Sequence, residues 1–213
     1  KKINLGFFPF DTKDKKLKKS LKLAHKEKRL FATHNTKCFS KADIIIIDTH
    51  LDLKEFNKDI KTSSFVLGII EVFKNIKPKT LVLIESTIPP GMTEQIIIPE
   101  VKKILKIRKI YFKDIFIAHS YERVMPGINY FDSIREYWRV YAGINDKSAK
   151  KCEQFLKTFI NTKKYELTRL DNIRSSELSK ILENTYRAVT ISLMDEWTKF
   201  ANSINVDLFQ VSD

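Results

Sequence analysis

Two short segments of this chain gather side chains able to hold water, move protons or balance charge. Leu81-Val82-Leu83-Ile84-Glu85-Ser86-Thr87-Ile88-Pro89-Pro90-Gly91 is an apolar run that stops at a carboxylate and two hydroxyls before a Pro-Pro-Gly break. Ala118-His119-Ser120-Tyr121-Glu122-Arg123-Val124-Met125-Pro126-Gly127 follows a second apolar run and packs an acid, a base and an aromatic into a loop. Glu122, a few residues past a strand end, can act as a general base or position a water; it can equally pair with Arg123 or stand solvated. The Thr87 hydroxyl can hold a water or a cofactor hydroxyl, or cap its own backbone. Further on, Lys180 and Asn184 are four residues apart in a helical pattern and share a face, with Arg187 one turn beyond. A cation beside an amide can stabilise an oxyanion. The same spacing suits a solvated face carrying Glu177–Lys180 and Glu183–Arg187 pairs.

The elements that must position these residues alternate in type. Residues 14–28 predict a short amphipathic helix with Leu17, Leu21 and Leu23 among lysines. Ala42-Asp43-Ile44-Ile45-Ile46-Ile47-Asp48 reads as a strand buried on both faces of a parallel sheet. Helices are predicted over 58–76, over Thr93–Leu105 with a cap near Met92-Thr93, and over 147–160 with Asp146 as cap. Strands are predicted at Leu81–Ser86, Asp114–Ala118, Tyr137–Gly143 and Tyr165–Thr168. From Asn172 to about Asn205 the pattern is helical for about nine turns without Gly or Pro. Strands alternating with helices predict a doubly wound, parallel, Rossmann-like α/β sheet, here incomplete, followed by a long connecting helix. In such sheets ligands bind beyond the carboxyl ends of the strands, so two reactive strand ends read as two walls of one site.

These three segments together resemble the nucleotide-sugar dehydrogenase family, which oxidises UDP-glucose, UDP-N-acetyl-hexosamines and GDP-mannose. The family's Glu-Ser-Thr before Pro-Pro-Gly is matched by Glu85-Ser86-Thr87-Ile88-Pro89-Pro90-Gly91, and its Pro-Glu-Arg-x-x-Pro-Gly loop by Tyr121-Glu122-Arg123-Val124-Met125-Pro126-Gly127. Its helical motif is matched by Glu177, Lys180, Glu183-Asn184 and Tyr186-Arg187-Ala188-Val189. The resemblance implies NAD as cofactor, with Thr49, Glu85, Ser86 and Thr87 along it. It implies a nucleotide sugar, most simply a UDP-sugar, against Tyr121, Glu122, Arg123, Val124, Lys180, Asn184 and Arg187. It assigns chemistry to Thr87 as water-holder, Glu122 as carboxylate, and Lys180 and Asn184 as oxyanion partners. The reaction implied takes a sugar C6 alcohol to a carboxylate in two hydride transfers, through a thiohemiacetal and a thioester on a cysteine. Tyr121 stands where the family more often has Pro, and His50 follows Thr49 where Pro is usual.

The sequence has five glycines and none spaced as G-x-G-x-x-G. The first βα unit is therefore expected before residue 1, and the catalytic cysteine and sugar-nucleotide domain beyond Asp213. Residues 1–170 are expected to form the partial NAD-binding domain and 171–213 the connecting helix. The chain by itself is expected not to turn over. Apolar residues covering more than one face of the long helix predict that part of it meets something else. The resemblance implies a homodimer through the same helix of a second subunit, with Tyr186, Val189, Leu193 and Trp197 near a two-fold seam, and the alternative is the domain expected beyond Asp213.

Composition narrows the partners. Cys38 and Cys152, with no disulfide framework, point to a reducing, cytoplasmic setting. The four histidines lack metal-ligand spacing, so no metal is assigned. The net charge of +13 is mostly lysine, and the clusters at Lys15-Lys16, Lys18-Lys19 and Lys26-Glu27-Lys28-Arg29 lack interleaved aromatics. A nucleic-acid partner is therefore not expected, and with no apolar run near the roughly 20 residues that span a bilayer, neither is a membrane. The competing reading is a non-catalytic α/β scaffold that dimerises and binds polyanions through its basic surface.

Overall fold

A computed structural model of the chain describes residues 2–51, 63–125 and 127–212. Residues 58–62 of one predicted helix and Pro126 of the Glu122 loop lie outside the described residues. The chain forms two compact units, Lys1–Glu177 and Leu178–Asp213.

The first unit is a five-stranded sheet in sequence order: β1 (Ile44–Ile47), β2 (Leu81–Ile84), β3 (Phe116–His119), β4 (Arg139–Gly143) and β5 (Leu167–Arg169). β1, β2 and β3 pair in parallel with Ile47 opposite Ile84 and Ile84 opposite His119. β4 runs antiparallel to β3 and parallel to β5. The wound sheet is thus not parallel throughout. The chain returns from β3 through a long loop and α4 (Tyr130–Arg135) and enters β4 from the opposite end.

Helices cover both faces, which is why β2 is buried along its whole length. α2 (Ser63–Asn75) and α3 (Ile98–Ile107) put Phe65, Ile69, Phe73, Val101 and Leu105 against Ile45, Ile47, Val82, Ile84 and Ile117. On the other face α5 (Asp146–Leu156) packs Ala149, Cys152 and Leu156 against Leu81, Leu83, Ala118 and Tyr141. β1 departs from the two-sided burial its isoleucines predict. It is the edge strand among the described residues, and Ile46 remains 47% exposed.

Helix ends are set by local chemistry. Asp14 caps α1 (Lys15–Lys26) by accepting from the Leu17 amide at 2.9 Å, and it also accepts from the Phe131 amide at 2.7 Å. α5 is capped by Asn145, which accepts from the Ser148 amide at 2.9 Å; Asp146, the expected cap, is the first helical residue. α3 is preceded by one wide turn, Thr93–Ile97, in which the Ile98 amide reaches back five residues to the Thr93 carbonyl. Pro99 explains it. Its ring would collide with the carbonyl four residues back in ordinary helical register, and the wider turn moves that carbonyl aside.

In the second unit, α6 (Ile173–Ser203), which begins in the first, and α7 (Leu208–Ser212) enclose an apolar cavity of about 460 Å³ lined by Trp197, Phe200, Ile204 and Leu208 among others. Tyr186, Val189, Leu193 and Trp197 are exposed along α6.

Gly143, at the end of β4, makes the closest backbone approach among the glycines. A Cβ there would lie 2.3 Å from the Ala149 amide and 2.8 Å from the Asn145 carbonyl, both backbone atoms that cannot swing away. Gly143→Ala should cost at least about 1–3 kcal/mol, which lowers the melting temperature by several degrees at about 2–4 °C per kcal/mol. Gly68, inside α2 with nothing near its missing Cβ, should behave oppositely. Gly68→Ala should gain about 0.5–1 kcal/mol by removing backbone freedom from the unfolded chain. Thermal unfolding of the two variants checks both signs.

Candidate active site

Parallel pairing carries the two reactive segments to one end of the sheet. The Glu85 and Ser86 amides donate to the Ile47 carbonyl at 2.9 and 3.2 Å, and the Ser120 amide donates to the Ile84 carbonyl at 3.1 Å. The residues after β1, β2 and β3 therefore emerge side by side at the carboxyl ends of the strands, where open α/β sheets bind ligands.

Beneath that edge lies a buried ion pair. The Arg139 guanidinium is 3.0 Å from a Glu85 carboxylate oxygen, with side-chain exposures of 3% and 10%. Arg139 also approaches the Ser120 carbonyl at 3.5 Å. Burial is the largest influence on Glu85 and pushes its pKa up; Arg139 opposes this, while the charges of Asp48 and Glu122 push it further up. Glu122 thus lies close enough to be felt by Glu85. Its own carboxylate accepts the Val124 amide of its loop, which pins the loop's direction.

The predicted site residues divide by what their polar atoms do. Thr49 and Thr87 are exposed and leave their hydroxyls at the open edge. The Ser86 hydroxyl turns inward to the Ile47 carbonyl at 3.2 Å. Tyr121 is buried, its ring 6.5 Å from that of His119. Arg123 donates to the Trp138 carbonyl at 3.3 Å and lies 5.9 Å from the centre of the Tyr137 ring. Val124 is half-buried. In the second unit, Lys180 and Asn184 follow one another on α6, and Arg187 stands 3.5 Å from Glu183, one of the helix-face pairs the spacing predicts.

Three residues that the sequence did not place against the strand ends hold the start of α6. Glu177, fully buried, does not act as a helix-face charge. Its carboxylate accepts the Gly91 and Thr93 amides, the second at 3.1 Å, and so supplies the cap of the following turn that was expected near Met92-Thr93. The Thr93 hydroxyl adds to the same field although its geometry falls short of a hydrogen bond. Gly91 is needed here, since its φ of 87° is strained for other residues. Ser176 Oγ lies 2.8 Å from His119 Nδ1, and His119 Nε2 is 3.4 Å from the Ser86 carbonyl. Arg174 pairs with Glu94 at 2.8 Å. The usable signals were Arg139 opening an otherwise uncharged strand and His119 ending one, since a buried charge or imidazole needs a partner. Cys152 is not a nucleophile: it is fully buried and burial pushes its thiol up to about 12. Cys38 is exposed. Among the described residues no group of three or more His, Cys, Asp or Glu could hold a metal, and no helix is long and apolar enough to cross a membrane.

Parallel strands that bring hydroxyls and a carboxylate to one sheet end over a buried ion pair are the arrangement of α/β proteins that bind ligands beyond their strand ends. The chain belongs to the UDP-glucose/GDP-mannose dehydrogenase family: residues 1–160 match its NAD binding domain and residues 174–213 its central domain. It is 35% identical over 174 residues to the UDP-N-acetyl-D-mannosamine dehydrogenase of Methanocaldococcus jannaschii, a match covering 80% of this chain and 37% of that protein. The structure of UDP-D-ManNAc dehydrogenase from Pyrococcus horikoshii superposes with a TM-score of 0.84 at 26% identity, covering 99% of this chain and 47% of that one. A ternary complex of GDP-mannose dehydrogenase from Pseudomonas aeruginosa gives 0.86 at 19% identity, covering 99% and 47%, a likeness of fold. The chain thus spans less than half the length of these relatives.

Two measurements probe the buried charges. Arg139→Met strands the Glu85 carboxylate and should cost about 3–5 kcal/mol, whereas Arg139→Met with Glu85→Gln should recover much of that loss; urea unfolding reads both. Glu177 has its pKa raised above the ordinary 4.5, chiefly by burial. A carboxyl raised on folding adds stability below its unfolded pKa and loses it as pH rises through the folded one. The stability of wild type minus that of Glu177→Gln should therefore fall as pH climbs from about 4.5. A difference independent of pH contradicts the assignment.

Proposed function

We propose that this chain is the cofactor-side portion of an NAD-dependent nucleotide-sugar 6-dehydrogenase that oxidises the C6 alcohol of a UDP-sugar to the uronic acid. The observation that carries this is the convergence of the Glu85-Ser86-Thr87 and Ser120-Tyr121-Glu122 segments at one sheet end in a member of this family. UDP-N-acetyl-D-mannosamine is the sugar named for the relative from M. jannaschii, which favours an N-acetylated substrate here.

The residues present fit one wall of a dinucleotide crevice. The exposed hydroxyls of Thr49 and Thr87 stand where a cofactor passes the strand ends. The inward Ser86 hydroxyl and the paired Glu85 carboxylate act on it only through the shape of the backbone they hold. NAD, when bound, accepts the hydride. Thr87 holds water for thioester hydrolysis, Glu122 takes or gives its proton, and Lys180 and Asn184 meet the negative oxygen. These roles divide the chain into a cofactor part, residues 1–170, and a helical part, residues 171–213.

The exposed apolar side chains of α6 support a homodimer through this helix, and the two free cysteines favour a cytoplasmic, reducing environment. Light scattering over a concentration series should show mass rising toward twice the monomer, and Trp197→Glu should abolish the rise. A constant monomer mass would rule the dimer out.

The catalytic assignment is tested by NADH production from UDP-N-acetyl-hexosamines in a polypeptide of the relatives' length. Lys180→Ala should lower kcat by about 10²–10³, as loss of an oxyanion donor does, with binding of NAD unchanged. Near-normal turnover would remove Lys180 from the mechanism.

A further inference from the structure

The opposite end of the sheet carries a surface that the dehydrogenase reading does not use. α3 runs down to the amino end of β3, and residues 102–113 read Lys-Lys-Ile-Leu-Lys-Ile-Arg-Lys-Ile-Tyr-Phe-Lys. Six of the twelve are cations and none is an acid. Some lysines elsewhere are matched, Lys16 with Asp132, Lys77 with Asp43, Lys150 with Asp146 and Lys157 with Glu153, while the others along α1 stand without the exposed Ile and Tyr side chains found here. In this segment Lys103 pairs with Glu100, and Arg108 donates to the Phe73 carbonyl. Lys102, Lys106, Lys109 and Lys113 have no ion-pair partner among the described residues. Asp114 is the next acid along the chain.

Apolar groups project through the same surface. Ile107 is 81% exposed and Tyr111 71%. Lys102 Nζ sits 5.1 Å from the centre of the Phe112 ring and Lys113 Nζ 5.3 Å from that of Tyr111. The lysines and rings line a shallow cavity of about 370 Å³. Ammonium groups already over the ring faces leave those faces poorly placed for stacking bases. Cations surrounding projecting Ile and Tyr side chains instead match the requirements of an anionic lipid surface: charge at the headgroups, apolar tips just below them.

We infer that the end of α3 and the 109–113 segment form a peripheral docking surface for anionic membranes, holding the carboxyl-end crevice toward solution. This departs from the expectation of no membrane partner, since a surface can dock on a bilayer without any apolar run long enough to span it.

Cosedimentation of the chain with phosphatidylserine/phosphatidylcholine vesicles, and with pure phosphatidylcholine vesicles, tests it. Binding should require phosphatidylserine and weaken with salt. Lys102→Gln/Lys106→Gln/Lys113→Gln should weaken it about 100-fold, at about five-fold per lysine. The matched change Lys15→Gln/Lys18→Gln/Lys22→Gln on α1 should weaken it far less. Ile107→Ser should weaken binding while leaving its salt dependence unchanged. All the substituted side chains are exposed, and circular dichroism confirms folding. No binding, equal binding to neutral vesicles, or equal loss in both triple variants overturns the proposal. So does tighter binding of a single-stranded oligonucleotide through the same three lysines.

Discussion

The geometry of the strand ends hangs on one carboxylate. Glu177 reaches from the first turn of α6 to the Gly91 and Thr93 amides, 86 and 84 residues earlier. Those amides would otherwise be unsatisfied donors at a buried helix start, costing roughly 1–3 kcal/mol each. The carboxylate suits the N-terminal end of that helix as a negative charge also does. By satisfying the Pro-Pro-Gly turn it fixes where the chain goes after Thr87. Ser176 and Arg174 secure the same turn of α6 to His119 and Glu94. A strand end, a turn and a helix start are joined by side chains rather than by sheet bonds.

The second constraint is electrostatic. Burying Glu85 and Arg139 together exchanges hydration for one ion pair, and such pairs contribute little net stability. What the pair secures is direction. Arg139 opens the antiparallel strand β4, Glu85 follows β2 directly, and the guanidinium also meets the carbonyl of Ser120, the residue just past β3. Three strands are thereby fixed at the edge where the reactive residues emerge. The raised pKa of Glu85 shows that Arg139 does not fully offset the burial, with Asp48 and Glu122 crowding the same region.

Much of this was legible in the sequence because it depends on local pattern. Leu81–Ile84 and the apolar residues of α2 and α5 reveal their burial by composition and spacing, and the 31-residue α6 by its unbroken period. The site segments stood out as polar residues ending apolar runs. What escaped required partners far along the chain. Nothing near Glu177 marks it as the bracket for Gly91, and its helical spacing favoured a surface pair. The antiparallel β4 has the same apolar pattern as a parallel strand, since direction is set by the connection. Ile46 looked buried because side-chain type predicts preference, whereas burial depends on what covers the strand. Asn145 and Asp146 are both good caps, and only the backbone at Asn145 has the extended conformation a cap needs.

The tight seating of α5 on β4, where Gly143 admits the helix backbone, also seals Cys152 from water. Its thiol, held protonated at neutral pH, cannot react until that seam opens, whereas Cys38 faces solvent throughout. The molecule therefore carries its own clock and its own reference. Thiol reagents will mark one sulfur at once and the other only at the rate at which the sheet parts from its helix, so that labelling kinetics read the opening of the core directly.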